Sequence, residues 1–140
     1  MKKELSAGGV VFRKKNNQIY VLLVKHTSSN HWGFPKGLVG DQQSNETLEQ
    51  AALREVKEEG GIKAKIIKKT SIPSQYTYTW EKQRIAKTVW YYLMEYISGD
   101  PINHDKEVSE AKFISAQKAK KTLTYKNDVL ILQKAWKLLG

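Results

Sequence analysis

Nine residues, Arg54–Ile62 (REVKEEGGI), constrain this chain most: they have a helical period, are crowded with carboxylates and close on paired glycines. At about 100° per residue, Glu55, Glu58 and Glu59 fall within roughly 100° of arc. Leu48, Ala52, Leu53 and Val56 recur at helical spacing around them. The pattern predicts a helix over Thr47–Gly60, with Ser44 or Asn45 as N-cap and Gly60–Gly61 as the stop. Like charges so placed repel by roughly 0.2–0.5 kcal/mol per exposed pair. A hard, oxygen-seeking divalent cation such as magnesium turns that repulsion into a binding site. The commonplace alternative is a solvated face on which Arg54 pairs with Glu58, four residues on.

Around this helix the chain reads mainly as strands. Ala7–Phe12 (AGGVVF) and Ile19–Val24 (IYVLLV) are apolar runs rich in β-branched residues, separated by polar residues 14–18, which is a hairpin signature. Residues 26–43 lack periodicity and read as a long functional loop. Lys65–Ile72, Gln75–Trp80 and Ile85–Ile97 read as successive strands, with turns at Ile72–Ser74 and Glu81–Arg84. Ala111–Ser115 is a further strand and Ala116–Lys121 a short helix. Asp128–Leu139 is an amphipathic helix with Val129, Leu132, Ala135, Trp136 and Leu139 on its apolar stripe. Strands interrupted by one helix and closed by another predict an α/β sandwich around a mixed β-sheet.

At 140 residues and 40% hydrophobic content, residues 1–140 are expected to form a single domain. With no cysteine, disulfides, thiolate metal sites and a cysteine nucleophile are excluded, in keeping with a reducing compartment. No segment has the roughly 18 apolar residues of a membrane span, and the opening MKKELSAGGVVF is not a signal peptide. The expected location is the cytosol, with no membrane partner. The net charge of +10 suits a polyanionic partner. All but three of the 24 basic residues are lysine, however, the weaker choice for bidentate phosphate recognition, so much of the surplus fits an ordinary solvated surface.

The run Phe34–Ile62 resembles the signature of the Nudix hydrolases: a glycine, five residues, a glutamate, seven residues, then Arg-Glu-aliphatic-x-Glu-Glu-x-Gly-aliphatic. Glu46, Arg54, Glu55, Val56, Glu58, Glu59, Gly61 and Ile62 meet its fixed positions. Gly40 satisfies the five-residue spacing to Glu46, whereas Gly37 has the FPKG context usual at that position; Gly37 is preferred, with a three-residue insertion in the loop. The opening AGGVVF, the approach HWGFPKG, the strand KTVWYYLMEY and a glutamate before AKFI are similar to the diadenosine tetraphosphate hydrolase branch. The resemblance implies a Nudix fold and metal-dependent pyrophosphatase chemistry on a nucleoside diphosphate linked to another group. It points to a bis(5′-nucleosyl)-tetraphosphatase giving ATP and AMP, with Mg2+ or Mn2+ as cofactor and a small nucleotide as partner.

On that reading Glu55, Glu58 and Glu59 are metal ligands, the Gly37 carbonyl completes the site by resemblance, and Glu107 is a further ligand or general base, with Asp105 and Glu110 as rivals. Arg54 orients a glutamate, since a cation inside a cation site opposes metal binding. Glu46, about 180° from Glu55 around the helix, braces the loop and helix start. Tyr76, Tyr78 and Trp80 alternate along one strand and share a face, where they either stack a base or pack a core. Tyr125 is another candidate wall. Lys36, Lys87, His31 and Arg84 are candidates for the polyphosphate. The rival substrates are an oxidised or non-canonical nucleoside triphosphate and the 5′ triphosphate end of RNA. A rival of another class is a non-catalytic nucleotide or RNA sensor, against which the complete glutamate set argues. Oligomeric state is not legible.

Overall fold

The structure, a computed structural model, describes residues 1–40 and 44–140. Seven strands form one mixed sheet: β1 (Lys2–Lys15), β2 (Gln18–His26), β3 (Trp32–Gly33), β4 (Lys36–Leu38), β5 (Ile62–Trp80), β6 (Gln83–Gly99) and β7 (Val108–Ser115). Their main order is β3-β2-β1-β6-β5, with β4 paired to β1 and β7 to β2. The central β1–β6 ladder is parallel and the others are antiparallel. Two tight hairpins fix the register. Asn16 and Asn17 take φ of 53° and 63° between β1 and β2, and Glu81 and Lys82 take 48° and 66° between β5 and β6. Two successive positive φ angles match the right-handed twist of the flanking strands.

Alternation along the strands divides the core in two. Val10, Phe12, Val21, Leu23, Val89, Tyr91 and Leu93 face α2 (Ala116–Thr122) and α3 (Lys126–Leu139). Ala7, Val11, Leu22, Tyr92 and Met94 face α1 (Leu48–Gly60). One helix on one face and two on the other give the expected α/β sandwich around a mixed sheet. Among the described residues no helix is long and apolar enough to cross a membrane.

Several expectations require correction. The α1 N-cap is Thr47, not Ser44 or Asn45: its side chain accepts from the Gln50 N–H while Gln50 reaches back to the Thr47 N–H, a closed capping box. Gly61 ends the helix at φ 73°, where glycine carries no Cβ penalty. Leu53 lies off the buried stripe, which runs through Ala51, Ala52, Glu55, Val56 and Glu59, so two of the acids share it. No turn occurs at Pro73: β5 continues through it, opposite Trp90, because an edge strand needs no outward N–H. The interruption falls earlier, between Ile66 and Ser71, where Lys68 and Lys69 adopt positive φ. The stripe of α3 is centred on Asp128, Ile131, Leu132 and Ala135, leaving Trp136 45% exposed with its ring edge-on to Phe12. Within the aperiodic stretch 26–43, β3 and β4 are too short for alternation to show. Of the expected loop insertion between Gly37 and Glu46, residues 41–43 lie outside the described residues.

Candidate active site

Strand β4 joins the two halves of the site. Its three residues pair with β1 at Ser6, Ala7 and Gly8, so neighbouring side-chain positions point to opposite faces of the sheet. Gly37 turns toward α1, and a Cβ there would collide with the Glu55 carboxylate; only glycine admits that acid so close to the backbone. Lys36 turns toward α3, while its backbone N–H donates to Glu59 Oε1 at 3.1 Å.

Arg54 holds two acids of α1, Glu55 and Glu58, together with Glu46 ahead of the helix. Arg54 donates through Nε to Glu46 Oε2 (2.7 Å), and through Nη1 to both Glu55 Oε2 (2.8 Å) and Glu58 Oε1 (3.0 Å). Arg54 Nη2 donates to Glu46 Oε1 (3.0 Å) and to the Leu38 carbonyl, and the Gly40 N–H also donates to Glu46 Oε1. Glu46 thus braces loop and helix, and these bonds, Arg54 foremost, hold its carboxyl below the usual range. Glu55 behaves oppositely: burial pushes it up to about 7 despite Arg54. Burial pushes Glu59 to about 8, against the opposing Lys36 N–H bond. Two buried carboxylates short of positive charge, beside a glycine backbone, form a hard-oxygen donor set suited to Mg2+ or Mn2+. Among the described residues no three acids or histidines yet converge to hold an ion, Glu55 and Glu58 being turned onto the same Arg54 nitrogen.

The loop after β6 brings further acids near. The Asp105 N–H donates to the Glu58 carbonyl (2.8 Å), and the Thr27 N–H to the Glu107 carbonyl (3.1 Å). Glu107 lies close enough to raise the pKa of Glu55, and Asp105 that of Glu59. Glu110, the other rival, pairs instead with Lys112 at 3.2 Å.

On the α3 side, a cavity of about 500 Å³ is lined by His31, Lys36, Tyr76, Tyr78 and Tyr125, with Tyr91 and Asp128 deeper in the fold. Cross-strand register sets the row at its edge: Tyr76 pairs with Lys87 and Lys87 with Glu4, and the Tyr78 hydroxyl donates to Glu4 at 2.5 Å. Lys87, depressed to about 8 by burial and then by Lys36, also senses Glu59 and Glu55. Two expected residues fall outside. Trp80 is 63% exposed at the hairpin end, and Arg84 leans on Thr77 Oγ1 at 3.5 Å; neither lines the cavity. A larger groove of about 910 Å³ beside Trp136 is lined by no carboxylate.

Sequence reasoning missed His26 and Asp128. Among the described residues the His26 Nε2 is buried without a hydrogen-bond partner, 3.8 Å from Glu59 Oε1, and burial with Lys36 depresses its pKa to about 4. Its ring stacks on His31 at 4.6 Å, and His31 tilts against Tyr125 at 5.1 Å, so an aromatic chain links the acids to the cavity. The available signals were a histidine closing the apolar run IYVLLVKH and an acid at helical spacing from Ile131, Leu132 and Ala135.

The NUDIX domain family model matches residues 2–134. Over 142 aligned residues the chain is 30% identical to MutT4 of Mycobacterium tuberculosis (strain CDC 1551 / Oshkosh), covering 97% of this chain and 56% of that protein. It is 38% identical over 94 residues to the NAD-capped RNA hydrolase NudC of Escherichia coli O9:H4 (strain HS), covering 66% of this chain and 33% of NudC. The chain therefore spans about half or less of these curated relatives. The Ap4A hydrolase of C. elegans in a binary complex superposes with a TM-score of 0.75 at 25% identity, covering 97% of both chains. The NUDIX domain of Shewanella oneidensis NrtR, complexed with ADP ribose, shares the fold at a TM-score of 0.75 and 19% identity, covering all of this chain and 90% of that one.

Proposed function

Because the chain belongs to the Nudix family, we propose that it hydrolyses a phosphoanhydride in a nucleoside diphosphate linked to another group. The preferred substrate is a dinucleoside polyphosphate such as diadenosine tetraphosphate, giving ATP and AMP. One observation carries the reading: β4 presents Gly37 to the α1 carboxylates and Lys36 to an aromatic cavity, so anhydride and base can be held side by side.

Glu55, Glu58, Glu59 and the Gly37 carbonyl would hold divalent ions, with Glu107 as a further ligand or base. Bound there, Mg2+ or Mn2+ supplies charge neutralisation and a more acidic water. Arg54 is a positioning residue that spaces Glu46, Glu55 and Glu58. Lys36 and Lys87 neutralise the polyphosphate, His31, whose pKa burial and Lys36 lower, hydrogen-bonds it as an uncharged ring, and Tyr76 and Tyr125 stack the base, with Tyr78 fixing the edge through Glu4. Aromatic stacking is worth roughly 1–3 kcal/mol per base. Water attacks one phosphorus, the bridging P–O bond breaks, the leaving nucleotide keeps that oxygen, and a carboxylate takes the proton from water. We place the protein in the cytoplasm.

The test is a substrate panel of diadenosine polyphosphates, nucleoside triphosphates and 5′-triphosphorylated RNA, resolved by ion chromatography. Diadenosine tetraphosphate should turn over fastest; equal or faster turnover of triphosphates overturns the assignment. Glu59→Gln should lose at least about 100-fold in turnover while staying folded, and undiminished turnover would remove Glu59 from the chemistry. A second reading, the RNA 5′ end, draws on the +10 charge and the likeness to NudC. Under it, affinity falls steeply with salt.

A further inference from the structure

His26 is used neither as a metal ligand nor as a polyphosphate contact. It closes β2 at a register shift in the β2–β7 ladder, between Lys25 and His26. A bulge of this kind re-aims a side chain and recurs beside active sites. Both backbone groups of His26 are taken: its N–H donates to the His31 carbonyl (3.0 Å), and the Asn30 N–H donates to its carbonyl (2.8 Å). Asn30 at φ 59° and a contact of Ser29 Oγ with His31 Nδ1 close the turn between them. His31 then stacks on the His26 ring with 23° between their planes, which holds that ring in place. Among the described residues Nε2 is one of two buried side-chain polar atoms left without a hydrogen bond, the other being Ser6 Oγ. A buried donor without a partner is costly. His26 does not line the aromatic cavity, so its complement does not come from there. The acid it meets is Glu59, whose Oε1 stands 3.8 Å away and accepts the Lys36 N–H.

We propose that His26 is a positioning residue: once an ion is bound, its Nε2–H donates to Glu59 Oε1 and leaves Oε2 to the ion. The inference rests on the reading of Glu59 as a metal ligand, and it names what holds that ligand in place. A carboxylate oxygen has two lone pairs, so the Lys36 N–H and His26 together saturate Oε1. Closing 3.8 Å to about 3 Å asks only for a small turn of the Glu59 carboxylate, because the stack and the backbone bonds hold the ring still. Nε2 donates both in the neutral tautomer that carries its proton there and in the protonated ring, so the role does not turn on the charge of His26. Arg54 does the same for Glu46, Glu55 and Glu58. Among the described residues Glu59 is the motif acid that Arg54 does not bond, and His26 is the donor that stands beside it.

The test is binding of Mn2+ to the full chain without nucleotide, read by electron paramagnetic resonance of the free ion. His26→Leu, which keeps the bulk and removes the donor, should weaken Mn2+ binding roughly 10- to 100-fold. His26→Gln, whose amide donates from near the place of Nε2, should recover most of that loss; circular dichroism checks that both variants fold. Equal Mn2+ affinity in His26→Leu and the unaltered chain overturns the proposal. So does equal weakening in the two variants, which would mean that the ring only packs. Unchanged Mn2+ affinity in His26→Leu with weaker binding of adenosine diphosphate, measured without divalent ions, would put the ring on phosphate and overturn it too. If neither variant folds, nitrogen-15 NMR of the unaltered chain decides: Mg2+ should protect the His26 Nε2–H from exchange with water, and exchange as fast with the ion as without it overturns the assignment. A loss in His26→Leu that His26→Gln restores stands even where no anhydride is turned over; turnover with no such loss removes this role and leaves the hydrolytic reading.

Discussion

Glu46 and Glu55 share one arginine, yet the first is held acidic and the second is pushed up to about 7, because of what each oxygen touches. Both side chains are enclosed, but Glu46 takes two Arg54 nitrogens and a backbone N–H, whereas Glu55 has one nitrogen, shared with Glu58, to set against its burial. Asp128 is the cleaner case for a measurement, since it stands away from α1 and, among the described residues, the Lys36 charge alone works against its burial. Facing it are Lys36 on β4, His31 before β3, and the Tyr91 and Tyr125 rings. Its pKa rises from 3.8 to about 6 on folding, so between those values the folded chain binds more protons than the unfolded one. Stability from this group is therefore greatest below its unfolded value and falls as pH rises through about 6. We expect Asp128→Asn to be more stable than the unaltered chain at pH 7, by on the order of 1–3 kcal/mol, and the two to converge near pH 4. Urea unfolding across that range checks it; a less stable variant at pH 7 would mean the carboxylate has a partner.

At the scale of elements, α1 owes its start to Thr47 and Gln50 and its end to Gly61. Thr47→Ala opens the capping box and should cost about 1 kcal/mol in urea unfolding; no measurable loss would show that packing on β1 and β5 alone sets the helix start. The helix itself was legible because 3.6-residue periodicity and an aliphatic–acidic pattern agree over thirteen residues. The central ladder strands were legible as apolar runs rich in β-branched and aromatic residues. Pro73 misled because proline is a turn signal in an isolated sequence, while an edge strand tolerates it. Strand β4, which organises the site, was illegible: three residues contain too little alternation to register, and its identity comes from pairing with β1.

For the whole molecule, an ion bound between α1 and β4 would tie a helix on one face to the sheet beneath it. An ion at 100 times its dissociation constant stabilises by about 2.7 kcal/mol, an upward shift in melting temperature on the order of 5–10 °C. We expect Mg2+ to produce that rise, a chelator to reverse it, and Glu59→Gln to abolish it; an undiminished rise in the variant would locate the ion elsewhere. The amino-acid sequence by itself determined the carboxylate helix, the strand-rich frame, the family likeness and the aromatic stripe of β5, because each is a matter of spacing along the chain. From the FPKG context alone it preferred Gly37 to Gly40 as the glycine beside the acids, without showing what either touches. In the fold Gly37 abuts Glu55 while the Gly40 N–H bonds Glu46. Only the tertiary structure decided that, and only it brought His26 to Glu59 and Asp128 into the cavity. Periodicity tells which residues share a face, but what stands opposite that face, and how much water remains there, depends on contacts distant in sequence. Those contacts set the charge state of every acid in the site.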